Sequence, residues 1–202
     1  MKHCPPGLLH TTFGSVEGAR IYITTNYDEL LEQALADRHP HVIVDRGEKG
    51  LWVTKSGGSP QQVASTGSQL YELLNDPETQ QPSSPIIFKI HGSVDKDPRN
   101  DSYLITEEDY VDFLGKSGGY LPPYVSALIE GKDFLFLGYS LVDWNVRVIL
   151  RKLLRRISPG SVRFWAIVRG RSDIEEEVWK SHALNIYPMD LNEFAAELQN
   201  YL

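Results

Sequence analysis

The sequence is poor in cysteine, has no excess of basic residues and contains no long apolar run. Cys4 is the only cysteine in 202 residues, which excludes an internal disulfide, a four-cysteine zinc ribbon and a Cys-x-x-Cys redox pair. The 20 lysines and arginines are outnumbered by 27 aspartates and glutamates, and the net charge of −7 argues against a general nucleic-acid binder. No segment approaches the roughly 20 apolar residues that span a bilayer. We therefore expect a cytoplasmic protein with neither a membrane nor a nucleic acid as its partner.

The apolar residues are arranged in short runs that alternate with helical segments. Hydrophobic residues make up 41% of the chain, enough to form a buried core. This alternation is typical of an α/β domain with a mostly parallel sheet. The predicted strands are 20–24, 42–44, 51–54, 86–90, 134–137, 162–168 and 184–187, and the predicted helices are 29–36, 107–114, 143–157 and 191–202. We expect a single domain over residues 1–202, with a loop-rich insertion at about 55–84 that contains a helical island near 69–74.

Two local patterns refine these elements. The run 51–54 is placed to pair with 42–44 across a glycine-containing turn at 47–50. Thr106 and Asp109 form a Thr-x-x-Asp start that resembles a capping box for the helix at 107–114.

Polar residues follow three of the predicted strands, at 24–28, 91–93 and 138–143. In open α/β sheets ligands bind outside the carboxyl ends of the strands, so these are the places to expect a binding site. Each also has a structural interpretation. Asn and Asp after a strand are often turn and capping residues, a histidine beside an isoleucine can be a packed core residue, and a glycine can simply relieve crowding.

The motifs TTNYD at 24–28, KIHGS at 89–93 and GYSLVDWN at 138–145 resemble, in this order, the three motifs of the sirtuin-like domain. The resemblance is to the branch found in bacterial NAD-degrading defence proteins, and it covers about residues 20–200. It implies a Rossmann-like α/β fold with helices on both faces of the sheet and NAD as substrate. It also implies that Asn26 and His91 are catalytic. The expected NAD-binding residues are Thr25, Asp28, Gly92, Gly138, Tyr139, Ser140 and Asp143.

These residue types suit cleavage of the bond between nicotinamide and ribose. Cleavage develops positive charge on the sugar, as in glycoside hydrolysis, and nicotinamide leaves as a neutral molecule that needs no strong acid. The amide of Asn26 can hold a water molecule and the ribose, and the imidazole of His91 can accept a proton near neutral pH. Asp28 can orient the ribose or the carboxamide, cap the following helix, or do both.

Two features depart from the family. Deacylating sirtuins hold a peptide against a zinc-binding module, and with a single cysteine that module is absent, so we expect no zinc and disfavour deacylation. The family's Gly-Ala-Gly-x-Ser phosphate loop is also missing ahead of residue 24, and the Phe-Gly-Ser at 13–15 does not replace it. The resemblance therefore implies an N-terminally truncated form of the domain.

The leading hypothesis is an NAD glycohydrolase that releases nicotinamide and ADP-ribose in antiviral defence. One alternative is a non-catalytic module that binds NAD or ADP-ribose, or that assembles with further copies of itself or with a defence-system partner protein. Another is transfer of ADP-ribose to an acceptor, which uses the same bond cleavage. Fold similarity alone does not separate these three.

Overall fold

The computed structural model describes residues 4–18, 21–63, 67–79, 81–94, 101–115, 121–138, 162–170 and 184–202. The chain divides into two compact units, Met1–Leu128 and Ile129–Leu202. The helices are α1 (Leu8–Ser15), α2 (Leu30–Ala34), α3 (Gly67–Leu74), α4 (Glu107–Gly115), α5 (Pro123–Ile129) and α6 (Leu191–Gln199). The strands are β1 (Ile21–Thr24), β2 (His41–Asp45), β3 (Leu51–Thr54), β4 (Pro60–Val63), β5 (Ile86–Lys89), β6 (Gly92–Ser93), β7 (Ser102–Tyr103), β8 (Phe134–Leu137), β9 (Phe164–Val168) and β10 (Leu184–Pro188).

The first unit is built on a mixed five-stranded sheet with the strand order β1-β5-β2-β3-β4. Strand β5 lies between β1 and β2 and is parallel to both, while β2, β3 and β4 are antiparallel neighbours. The predicted pairing of 42–44 with 51–54 is confirmed, with Val42 opposite Thr54. Only a short 3₁₀ turn, Gly47–Lys49, separates β2 from β3, and such a connection permits antiparallel pairing only.

Strand β5 is buried along its whole length, as expected of a central parallel strand flanked on both sides. Ile86, Ile87 and Phe88 are fully buried in the core of this unit. Lys89 is also fully buried, although it carries a charge. This lysine lies at the carboxyl end of the strand, where a ligand site is expected.

The start of α4 confirms the predicted capping box. The Thr106 hydroxyl accepts the Asp109 backbone N–H at 3.1 Å, and the Asp109 carboxylate accepts the Thr106 N–H at 2.8 Å. The two bonds satisfy backbone donors that the first turn of a helix leaves without partners. The capping box therefore fixes the place where α4 begins.

The second unit contains a parallel sheet with the order β10-β9-β8. Its core contains Val162, Phe164, Ala166 and Leu184, with Phe134 and Phe136 stacked on Phe164. Helix α6 follows β10 and begins at Asp190, whose carboxylate accepts the Asn192 N–H at 2.8 Å. The helix predicted at 143–157 lies outside the described residues.

The sequence did not predict α1, β4, α5 or the short β6–β7 pair. Helix α3 confirms the helical island predicted near 69–74, and β4 lies in the same stretch. The description of this stretch as an insertion stays a prediction. No helix among the described residues is long and apolar enough to cross a membrane.

Candidate functional site

Asn26 and His91 follow two neighbouring parallel strands. Thr24 lies opposite Lys89 at the end of the β1–β5 ladder. The Ile90 N–H donates to the Thr24 carbonyl at 3.1 Å, which carries the pairing one residue further. Because adjacent strands are roughly 4.8 Å apart, the chain segments that carry Asn26 and His91 leave the sheet side by side. The structure thus brings both predicted catalytic residues to one edge of the sheet.

The backbone of Tyr27 joins the two motifs. Its carbonyl oxygen accepts the Val94 N–H at 3.0 Å and the Lys89 ammonium at 3.3 Å. Both donors come from the segment that surrounds His91. These hydrogen bonds therefore hold the loop between β1 and α2, residues 25–29, against that segment.

The side chain of Tyr27 extends the same attachment to β7. Its hydroxyl donates to the Leu104 carbonyl at 2.7 Å, and its ring lies 5.1 Å from the Tyr103 ring at an interplanar angle of 83°. Burial raises the pKa of the Tyr27 phenol, so the group keeps its proton and remains a donor. The sequence analysis did not predict this role, because it assigned Tyr27 no function beyond membership of the motif at 24–28.

His91 is only 6% exposed and is enclosed by aromatic rings of α4. The ring centres of Tyr110 and Phe113 lie 5.3 Å and 5.6 Å from that of the imidazole, at angles of 89° and 90°. Edge-to-face contacts of this kind fix the orientation of a ring. The i, i+3 spacing of the two aromatic residues was the signal for a shared helical face. The same packing would serve a structural histidine, so catalysis by His91 is a proposal.

The β1–α2 loop presents its polar side chains to solvent. Asn26 and Asp28 are exposed and Thr25 is half-buried. One oxygen of Asp28 accepts the Leu30 N–H at 3.0 Å, so the carboxylate does cap the start of α2, although Glu29 occupies the N-cap position. An exposed carboxylate has further acceptor positions, so capping and contact with a ligand are compatible.

The structure gives Gly92 a role of its own. Its φ angle is +99°, and a Cβ atom there would lie 2.1 Å from the Ser102 carbonyl oxygen. Only glycine allows β6 and β7 to approach this closely. In the second unit, Gly138 directly follows β8 and has a φ of +70°. Tyr139, Ser140 and Asp143 lie outside the described residues.

Lys89 is a charged residue of this edge that sequence reasoning did not single out. Its ammonium donates to the carbonyl oxygens of Tyr27 and Asp28 and forms an ion pair with Glu32 on α2 at 2.9 Å. Burial raises the pKa of the Glu32 carboxyl, although the neighbouring ammonium acts in the opposite direction. The signal in the sequence was a lysine within the apolar run at 86–90.

Among the described residues, no group of three or more His, Cys, Asp or Glu side chains is arranged to hold a metal ion.

A family model described as the SIR2-like domain matches residues 20–187. The chain belongs to the SIR2-like domain family. The match includes all three motifs that carry the resemblance to sirtuin-like proteins, at 24–28, 89–93 and 138–145.

Curated relatives of this SIR2-like chain have names that mention NAD hydrolysis or defence. The chain is 24% identical over 183 residues to NAD(+) hydrolase ThsA of Bacillus cereus (strain MSX-D12), which covers 89% of this chain and 31% of the relative. It is 27% identical over 151 residues to NAD(+) hydrolase ThsA of Acinetobacter baumannii (strain 532279), and the match covers 73% of this chain and 25% of the relative. It is 23% identical over 146 residues to defense-associated sirtuin 2 of Bacillus subtilis, and the match covers 72% of this chain and 12% of the relative. The chain thus spans a third or less of the length of these relatives.

Proposed function

We propose that this SIR2-like chain hydrolyses NAD to nicotinamide and ADP-ribose and that it acts in antiviral defence in the cytoplasm. The names of the relatives support the substrate and the setting. The observation that supports the chemistry is the pairing of β1 with β5, because it brings the chain segments that carry Asn26 and His91 to the same edge of the sheet. The proposal includes a Rossmann-like, mostly parallel arrangement within a single domain over residues 1–202, and assembly with further copies or with a defence-system partner.

The proposed reaction breaks the bond between C1′ of the ribose and the pyridinium nitrogen of nicotinamide. The bonding electron pair stays on that nitrogen, so nicotinamide leaves neutral and the positive charge passes to the ribose. A water oxygen then bonds to C1′, and the proton it loses passes to His91 and on to solvent. The exposed amide of Asn26 holds the water and the ribose in position.

We assign the remaining predicted contacts to NAD binding. Thr25 and Asp28 lie on the exposed β1–α2 loop, and Gly92 follows His91 directly. We assign the same role, on the third motif, to Gly138, Tyr139, Ser140 and Asp143.

The decisive measurement is release of nicotinamide from NAD by the purified protein. We expect Asn26→Ala and His91→Asn to lower kcat by about 100-fold or more, the scale on which positioned polar groups and general bases contribute. The control for Asn26 is Gln61→Ala, because Gln61 is an exposed amide on β4 at the other side of the sheet. The control for His91 is His41→Asn, because His41 is a buried histidine at the opposite, amino-terminal edge of the parallel strands. Equal rates in the wild type and both site variants would refute the catalytic assignment.

Burial of His91 favours one second candidate, a module that binds NAD or ADP-ribose without cleaving it. Calorimetry separates the two functions. Heat of binding with no release of nicotinamide supports the module, and release of nicotinamide that depends on His91 supports the hydrolase.

A further inference from the structure

Lys89 occupies a position where a charge is costly. The side chain is fully buried at the end of β5, beside three fully buried apolar residues of the same strand. Removing an ammonium from water is strongly unfavourable unless its donors find partners. A methionine has a similar length and lacks this cost, so packing of the core does not by itself require a lysine here.

The partners of the ammonium all belong to one short piece of chain. An ammonium has three N–H donors, and Lys89 has three oxygen partners, on Tyr27, Asp28 and Glu32. Two of these are backbone carbonyls of the β1–α2 loop, directly after Asn26. The third is the carboxylate of Glu32 on the helix into which the loop leads.

The loop depends on such anchors, since its functional side chains are exposed. Asn26 and Asp28 are exposed side chains of this loop, and a catalytic group loses most of its effect when it is displaced by about 1 Å. The Val94 N–H holds the Tyr27 carbonyl from one side. Lys89 contacts both that carbonyl and the next one, so it fixes the direction of the two peptide groups that follow Tyr27 and Asp28.

We propose that Lys89 is a positioning residue for the proposed NAD hydrolysis: its ammonium fixes the backbone of Tyr27 and Asp28 and thereby holds Asn26 and Asp28 in place for the substrate. Glu32 balances the buried charge. The inference depends on the proposed function for its catalytic part. The attachment of the loop stands on the hydrogen bonds alone.

The test separates positioning from stability by means of a double variant. Lys89→Met leaves the partly buried carboxylate of Glu32 without its ion pair and should lower the thermal midpoint. Adding Glu32→Gln removes that charge and should restore most of the midpoint. We expect kcat for nicotinamide release to stay at least tenfold below the wild type in both variants, with a smaller change in KM. If the double variant recovers kcat together with stability, Lys89 is structural only and the proposal is refuted.

The matched control is Arg38→Met. Arg38 also donates to backbone carbonyls, those of Val16 at 2.8 Å and Gly14 at 3.4 Å, but these precede β1 in the chain and do not belong to the β1–α2 loop. This variant should lose stability and keep kcat within twofold of the wild type.

Hydrogen exchange supplies a readout that does not need activity. Backbone amides in peptides over residues 25–32 should exchange at least tenfold faster in the Lys89→Met/Glu32→Gln protein than in the wild type. In Arg38→Met their exchange rates should equal those of the wild type. Wild-type exchange rates in the double variant would overturn the attachment itself. If the wild-type protein releases no nicotinamide, the proposed function fails and the catalytic part of the inference fails with it, and the exchange rates still decide whether Lys89 anchors the loop.

Discussion

Replacement of Gly92 by alanine tests the close approach of β6 and β7 beside His91. A Cβ atom at this position would lie 2.1 Å from the Ser102 carbonyl oxygen and 2.6 Å from its hydroxyl oxygen, well inside van der Waals contact. The positive φ of +99° adds backbone strain of about 1–3 kcal/mol for any residue with a Cβ. Forcing an extra methyl group into packed surroundings costs a further ~1–3 kcal/mol. We expect Gly92→Ala to lower the free energy of unfolding by about 3 kcal/mol.

Gly57→Ala is the control for the backbone contribution alone. Gly57 has a similar positive φ of +67°, and no atom lies within 4 Å of a Cβ placed there. Its replacement should cost about 1 kcal/mol, which is the strain of a left-handed residue without a collision. Urea unfolding followed by circular dichroism measures both. Equal losses of unfolding free energy in the two variants would show that β6 and β7 are not in close contact, and would refute the predicted collision at Gly92.

The identity of the colliding atom gives a second check on Gly92. The nearest atom is a backbone carbonyl oxygen, which a change of side chain at Ser102 does not remove. Adding Ser102→Ala to the Gly92→Ala protein should therefore recover less than half of the lost stability. Full recovery would assign the collision to the hydroxyl group.

Three further changes test contacts away from the site. Nδ1 of His41 accepts the Ser56 N–H at 3.1 Å, and burial lowers the pKa of this imidazole. Because the unfolded chain then binds more protons than the folded one, the free energy of unfolding should fall as the pH drops from 7.5 to 5.5. In urea unfolding, His41→Asn should make this dependence on pH weaker. Tyr124→Phe removes a 2.7 Å hydrogen bond to Asn75 and should cost about 1 kcal/mol in the same assay, and no loss would contradict the bond. Asp190→Ala removes the side-chain cap of α6 and should lower the stability of the helix by ~1 kcal/mol, which is measured as faster hydrogen exchange in its first turn. Unchanged exchange would show that the cap contributes nothing.

The elements that the sequence predicted are those with local signals. The β1 and β5 runs are short and apolar, and the capping residues of α4 and α6 mark where those helices begin. Strand β4 was missed because Pro60–Val63 is mostly polar and exposed, so it lacks the apolar alternation that marks a strand. Its strand conformation comes from pairing with β3, a tertiary effect that local propensity does not contain.

The site was predictable to the same extent. The motifs located Asn26 and His91, and the general rule for parallel sheets indicated that they meet at one edge. Lys89 and Tyr27 could not be assigned, because their partners lie 57 or more residues away in the chain and only the β1–β5 register brings them together. A lysine in an apolar run signals a buried charge, but the sequence does not reveal which oxygens surround it.

The two proposed catalytic groups differ in their access to solvent, and that difference bears on how hydrolysis would proceed. Asn26 is exposed on its loop, whereas Tyr110 and Phe113 pack against His91 and leave it 6% exposed. We propose that the substrate reaches this edge from the side of the β1–α2 loop. In this proposal the shielded imidazole of His91 accepts a proton from a water molecule that the amide of Asn26 holds in place. Attachment of the loop through Lys89 and packing of the imidazole against α4 would then serve one requirement, which is a fixed distance between the bound water and its base.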